Sequence, residues 1–263
     1  MVKKKAWVIP AICFAILLFG LLLGLVFSPY DPYKVNPTEK LIAPNSLHWF
    51  GTDHLGRDIF TRIVVGTPYT ILFPAIVLLF STFMGTCIGL ISSYTGRKID
   101  SAITAVMDSF SAIPNLLLAI AITGLLGPGF IHTLLAILIS WWVQYARVVR
   151  NLSIVTLSQP YMHAAQLSGT FGSKLIYRHL FPNVFPFIRE MIFLDMGSII
   201  LMVSSLSFLG LGAQPPLPEW GGMMLDGKSY FQIAPWITLI PATFIAVVVM
   251  LFYFIGKGVK VDD

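Results

Sequence analysis

Apolar stretches of bilayer length constrain this chain more than any other feature. A helix needs about 20 apolar residues to cross a hydrocarbon core. Six segments reach or approach that length: 7–27, 69–94, 101–126, 131–149, 184–211 and 235–256. In lipid the backbone must satisfy its own N–H and C=O groups, so such segments fold as helices. Composition agrees: 56% of the 263 residues are hydrophobic and only 11% are charged, against about 25% charged in a soluble domain. The expected fold is therefore an all-α integral membrane protein with six transmembrane helices. Gly and Pro interrupt several segments, which bundled spans tolerate. Gly85, Gly89, Gly197 and Ser198 are small enough for close helix approach. Residues 6–27, after Lys3, Lys4 and Lys5, exceed the about 7–15 residues of a signal-peptide core, so they read as a retained anchor.

Orientation follows from Lys and Arg. With the N-terminus inside, the inner segments hold twelve of the 17 basic residues and the outer segments hold Lys34, Lys40, Arg57, Arg62 and Lys228. That bias puts both termini in the cytoplasm. Arg57 and Arg62 fit an interfacial helix just before span two. The chain then divides into an anchor helix and outer loop (1–68), a core of spans two to six (69–256) with a cytoplasmic loop at 150–183, and a short tail (257–263). The net charge of +5 is modest and no basic patch is interleaved with aromatics, which argues against nucleic acid. Cys13 and Cys87 lie in apolar runs and read as small buried hydrophobes.

A polar, basic island interrupts the apolar pattern at Tyr161–Asn183, YMHAAQLSGTFGSKLIYRHLFPN. Pro160 suits a first helical position. Gly169 can supply positive φ, Ser173 can cap a second run, and that run is expected to stop before Pro182. Connections between helices are usually short, so a long one with helices of its own predicts a docking element.

Asp108 and Asp195 fall inside expected spans. An acid there usually faces the bundle or a cavity, so each is a candidate lining of a translocation path, with helix-end chemistry as the alternative. Two outer loops are substantial. Residues 28–68 carry His48, Asp53, His54, Arg57 and Asp58; residues 212–234 carry Pro218, Glu219, Trp220, Met223 and Met224. No helical i, i+4 His pair or Cys/His cluster is present, so no metal site is assigned. No G-x-x-x-x-G-K-[ST], G-x-S-x-G or H-E-x-x-H occurs. The chain is expected to hydrolyse nothing and to bind no cofactor itself.

Five stretches carry a family resemblance. They are His163-Ala164-Ala165 with Gly169 and Pro182, GTDHLGRD (51–58), GRKIDSAITAVMDSFSAIPNLLLAI (96–120), YRHLFPN (177–183) and LSFLGLGAQPPLPEWGGMM (206–224). In this order they resemble the permeases of ABC importers, specifically the second permease subunit of the peptide/nickel branch. The resemblance implies the type I importer architecture, with an EAA loop whose coupling helices sit in a cleft of each ATPase. On this chain Tyr161, His163, Ala164, Ala165, Gly169, Lys174, Arg178, His179 and Pro182 would form that element. His163 stands where the family has Glu, His179 where it has Ile, Phe181 where it has Leu, and Lys257 where the branch tends to have an acid.

The same resemblance implies a bacterial cytoplasmic membrane location and a heterodimer with a sister permease. It also implies two cytoplasmic ATPases that hold ATP and Mg, and an external substrate-binding protein. Asp53, Arg57, Asp58, Pro218, Glu219 and Trp220 would lie on the face that receives that protein. HWFGTDHLGRDIF (48–60) and YARVVRNL (145–152) are similar to nickel-type members. The expected cargo is a metal ion or metal chelate, with di- or oligopeptides as the alternative. A self-contained secondary transporter is disfavoured because no repeated halves appear, and a membrane-anchored enzyme because no catalytic constellation does.

Overall fold

A computed structural model describes residues 7–259. Lys3, Lys4, Lys5 and Lys260, which entered the charge count, lie outside them, as do residues 260–263 of the expected tail. The described residues form eleven α-helices: α1 (Val8–Phe27), α2 (Ile59–Thr67), α3 (Phe73–Tyr94), α4 (Arg97–Ser111), α5 (Asn115–Leu126), α6 (Phe130–Leu157), α7 (Pro160–Leu167), α8 (Gly172–Leu175), α9 (Phe181–Phe208), α10 (Trp220–Gly227) and α11 (Trp236–Gly258). No strand occurs among the described residues; an isolated bridge joins Thr52 to Asp58.

Two joins between helices are π-turns, at Pro68–Leu72 and Ile176–Leu180. Each is followed by a Phe-Pro pair, Phe73-Pro74 and Phe181-Pro182. The Phe73 N–H donates to the Pro68 carbonyl and the Phe181 N–H to the Ile176 carbonyl. A proline in a regular helix strikes the carbonyl four residues back. The wider turn carries that carbonyl aside, so the helix passes through. The expected stop before Pro182 is therefore absent: one helical run extends from Gly172 to Phe208. Likewise the second expected span begins at Ile59, not at residue 69.

Residues 101–126 do not form a straight span. α4 and α5 meet at 84°. Pro114 causes the break, because it disfavours helical backbone at Ile113. By length and apolarity, the runs 59–94, 172–208 and 236–258 can each cross a bilayer, and the bent α4–α5 pair makes a fourth if counted as one. α1 has 20 residues, and α6 has 28 with Arg147 and Arg150 toward its end.

Glycines set the closest packing. α3 lies along α6 with Gly85 and Gly89 at the contact. A Cβ at Gly85 would be 2.4 Å from the Trp142 carbonyl oxygen, and one at Gly89 2.5 Å from that of Ala146. Gly197 meets Val249 of α11, and Gly256 meets Leu194 of α9. Three of the four small residues expected at interfaces are thus at them; Ser198 is exposed. Cys13 is an exposed free thiol rather than a buried one, because its face of α1 is unpartnered; Cys87 is partly buried and also free.

Candidate functional site

The polar island occupies one end of the bundle. Pro160 opens α7. The helix closes on the Thr170 N–H to Ala165 carbonyl bond (3.0 Å) and the Gly169 N–H to Gln166 carbonyl bond (2.9 Å). This is a Schellman ending, and it needs the left-handed backbone that Gly169 supplies at φ +84°. Met162, Leu175 and Leu180 are fully buried and anchor the connection to the bundle. Tyr161, Leu167, Phe171 and Tyr177 point outward; Leu167 is 91% exposed and Tyr177 80%. His163, Ala164, Lys174, Arg178 and Pro182 are exposed too, while Ala165 and His179 are half-buried. The result is an apolar and basic surface on a firmly anchored base.

Ser173 caps nothing, because Phe171 stands at the N-cap of α8. The start of α8 is held instead by the Tyr94 hydroxyl, which accepts the Gly172 N–H at 2.7 Å. Sequence reading missed Tyr94, since 78 residues separate the two. A clamp lies at the end of α3 as well. Arg150 donates through Nε and Nη2 to both oxygens of Asp100, each at 2.6 Å, and the Ser92 hydroxyl adds a third bond to Oδ1. This pins α3, α4 and α6 together. Arg147 reaches Asp108 at 2.9 Å, but both are exposed, and such a pair contributes little. Asp108 thus pairs with Arg147 near the end of α4.

The opposite end holds the residues expected to receive a docked protein. Their side chains are not available for it. Asp53, Arg57, Asp58, Pro218, Glu219 and Trp220 are all buried. They are buried because these polar groups satisfy one another instead of solvent. Asp53 Oδ1 accepts the N–H groups of Leu55 and Arg57, and its Oδ2 accepts Arg57 Nε at 2.6 Å. Arg57 also reaches Asp226 at 3.1 Å, across 169 residues of sequence. Arg62 is 2% exposed, not interfacial; it lies 3.7 Å from Asp53 and donates to the Pro32 carbonyl. Asp58 caps α2 through the Thr61 N–H and also bonds His48 Nδ1 at 2.9 Å.

Glu219 is fully buried and caps α10 through the Gly222 N–H. Its carboxylate also accepts the hydroxyl of Ser204 at 3.1 Å and that of Thr70 at 3.4 Å. Trp220 donates its indole N–H to the Ile63 carbonyl. These bonds tie α2, α9 and α10 into one block.

That geometry also bears on metals. His48 is engaged by Asp58, and the His54 ring stacks on Tyr230 with centroids 5.4 Å apart. Among the described residues no group of three or more His, Cys, Asp or Glu could hold a metal ion. Asp195 stands apart, inside α9, where the Gln144 amide donates to Oδ2 at 2.8 Å.

Comparison with known proteins is consistent throughout. Residues 85–260 match the family described as binding-protein-dependent transport system inner membrane component. The dipeptide transport system permease protein DppC of Alkalihalophilus pseudofirmus is 39% identical over 254 residues, 95% of this chain and 84% of that protein. A probable D,D-dipeptide transport system permease protein of Escherichia coli, DdpC, is 35% identical, covering 94% and 84%. The nickel transport system permease protein NikC of the same organism is 34% identical, covering 88% and 84%. An inward-facing structure of the MetNI methionine ABC transporter superposes with a TM-score of 0.61 at 15% identity, over 74% of this chain and 93% of that one. That last likeness is one of fold. The chain belongs to the inner-membrane component family of binding-protein-dependent transport systems and, within it, to the peptide and nickel permeases: it is a membrane-spanning permease subunit of an ABC importer, not an enzyme.

Proposed function

We propose that this permease pairs with a sister subunit and imports short peptides by alternating access, driven by two ATPases that hold the ATP and Mg. The anchored surface of residues 161–182 is the observation that carries the reading. Leu167, Phe171 and Tyr177 are large, apolar and exposed on a segment held by three buried side chains, which suits a helix seated in a partner's groove. Lys174 and Arg178 would meet acidic groups at its rim. The Lys and Arg count supports a cytoplasmic position for this end, with both termini inside. The binding protein would then meet the other end, over the block built on Asp53 and Glu219.

Short peptides are favoured as cargo for two reasons. Two of the relatives above are named for dipeptides. In addition, the residues that gave 48–60 its nickel-type wording are spent on an internal network. A metal chelate is the second reading, favoured by that wording and by the relative named for nickel.

The experiment is co-purification and uptake. Replacing Leu167 and Phe171 together by Asp is expected to leave the permease in the membrane while ATPase recovery falls about tenfold or more, since burying two new carboxylates is costly. Normal ATPase recovery would remove the docking assignment. Labelled dipeptide against a nickel chelate, supplied with the binding protein, separates the two cargoes.

Tyr94→Phe probes transmission from the same surface. It removes the only acceptor found for the Gly172 N–H, a bond of about 1 kcal/mol. ATPase association is expected to persist while uptake per ATP falls about fivefold. An unchanged ratio would show that the hydroxyl only decorates the joint.

A further inference from the structure

We infer that Asp195, with Gln144, Tyr145, Trp141 and Thr82, forms a site for one primary ammonium group. Asp195 lies within a helical run apolar and long enough to cross a bilayer, and it is only partly buried. No ion pair joins it to a cation among the described residues. A half-open carboxylate at that depth does not face lipid; it faces a cavity or a guest.

Its surroundings are polar and incomplete. The Tyr145 hydroxyl and the Trp141 indole face Asp195, and the Thr82 hydroxyl faces Tyr145. Tyr145, Trp141 and Thr82 are 0%, 6% and 6% exposed. Yet Tyr145 Oη, Trp141 Nε1 and Thr82 Oγ1 approach these neighbours without completing a well-aligned hydrogen bond. Three well-buried polar atoms grouped around one carboxylate keep hydrogen-bonding capacity that a polar guest can use.

The donor set decides the guest's charge. Gln144 already donates to Oδ2, and Trp141 can only donate. What remains is acceptor capacity: the free lone pairs of the carboxylate and the hydroxyl oxygens of Tyr145 and Thr82. A primary ammonium brings three N–H donors and one positive charge, and so matches it. An anionic guest would meet Asp195 directly and is repelled.

Such a group comes from one of two sources, the amino terminus of a peptide in transit or a free small ammonium ion. The first rests on the short-peptide reading above; the cation chemistry does not.

Two measurements on the assembly with its ATPases test the site. The first is modification of Asp195 by dicyclohexylcarbodiimide in nanodiscs, read by mass spectrometry. Methylammonium chloride is expected to slow labelling about threefold or more, and choline chloride at the same ionic strength to leave it unchanged. No labelling, or equal protection by both salts, would overturn the site. Equal protection by sodium and methylammonium would overturn the ammonium assignment, because sodium has no N–H to donate.

The second is turnover with alanyl-alanine at saturating binding protein. Asp195→Asn is expected to lower turnover about tenfold with the half-saturating concentration unchanged, and Asp195→Glu to restore part of it. Full turnover in Asp195→Asn, with protection by methylammonium intact, excludes the cargo amino terminus and leaves the free ion. A wild-type assembly that imports no peptide but retains protection removes the peptide reading alone.

Discussion

Gly89→Val is expected to prevent α3 from closing on α6. The added Cβ alone would sit 2.5 Å from the Ala146 carbonyl oxygen and 2.9 Å from Val149 Cβ. The first of these is backbone within a helix and cannot rotate away, so the two helices must separate. Separation also breaks the neighbouring contact, where Gly85 already brings α3 to within 2.7 Å of Tyr145 Cβ for a Cβ built there. Overpacking of a side-chain core costs about 1–3 kcal/mol; here backbone meets backbone along the most extensive helix pair, and the loss should reach or exceed the top of that range. The measurement is the yield of monodisperse protein after extraction, together with its thermal midpoint. Gly20→Val is the control, because nothing lies within 4 Å of its Cβ position in α1. A Gly89→Val protein as abundant and stable as Gly20→Val would mean that α3 and α6 do not meet at their backbones.

That helix contact was legible in sequence, because small residues four apart in an apolar run have one main use in a membrane. Gly169 was legible for a similar reason: a polar connection with one central Gly predicts a left-handed ending, and φ +84° supplies it. The π-turns were not. Pro182 reads as a helix stop under the ordinary rule, and only the paired Phe-Pro at 73–74 and 181–182 hints that both helices continue. The outer residues misled in another way. Asp53, Arg57 and Asp58 look solvent-exposed because charges usually are. Yet Asp53 and Asp58 sit beside Arg57, Arg62 and His48 in sequence, a balance of signs that permits self-pairing. Asp226 could not be read from the chain, since its partner lies 169 residues away. A separation of 78 residues likewise hid Tyr94 at the end of α3, where an aromatic passes for an interfacial anchor.

The second large effect belongs to that network, at Asp53. Its carboxylate performs two tasks. Oδ1 accepts the N–H groups of Leu55 and Arg57 and so shapes the turn before α2. Oδ2 holds Arg57 at 2.6 Å and lies 3.7 Å from Arg62. With Asp53→Ala, two buried guanidinium groups keep only the partly exposed Asp226 to neutralise them. Removing one partner of a buried ion pair costs about 3–5 kcal/mol, because the remaining charge is stranded. Asp53→Asn separates the tasks: its carbonyl can still accept the turn N–H groups, while the charge is gone. Both variants should lower the thermal midpoint, Ala more than Asn, and should open the segment to trypsin at Arg57 and Arg62. ATPase recovery should be unchanged, because the Tyr94–Gly172 end lies at the far end of α3. Capture of the binding protein should weaken, because the surface above the network loses its base. The sharpest check is a combined Asp53→Leu and Arg57→Met change, in which the charge and its main partner leave together. Replacing a buried pair by apolar groups is often near neutral, so the double variant should be more stable than Asp53→Ala. If it is equally unstable, the turn rather than the charge carries the cost, and the ionic account of this end of the bundle fails.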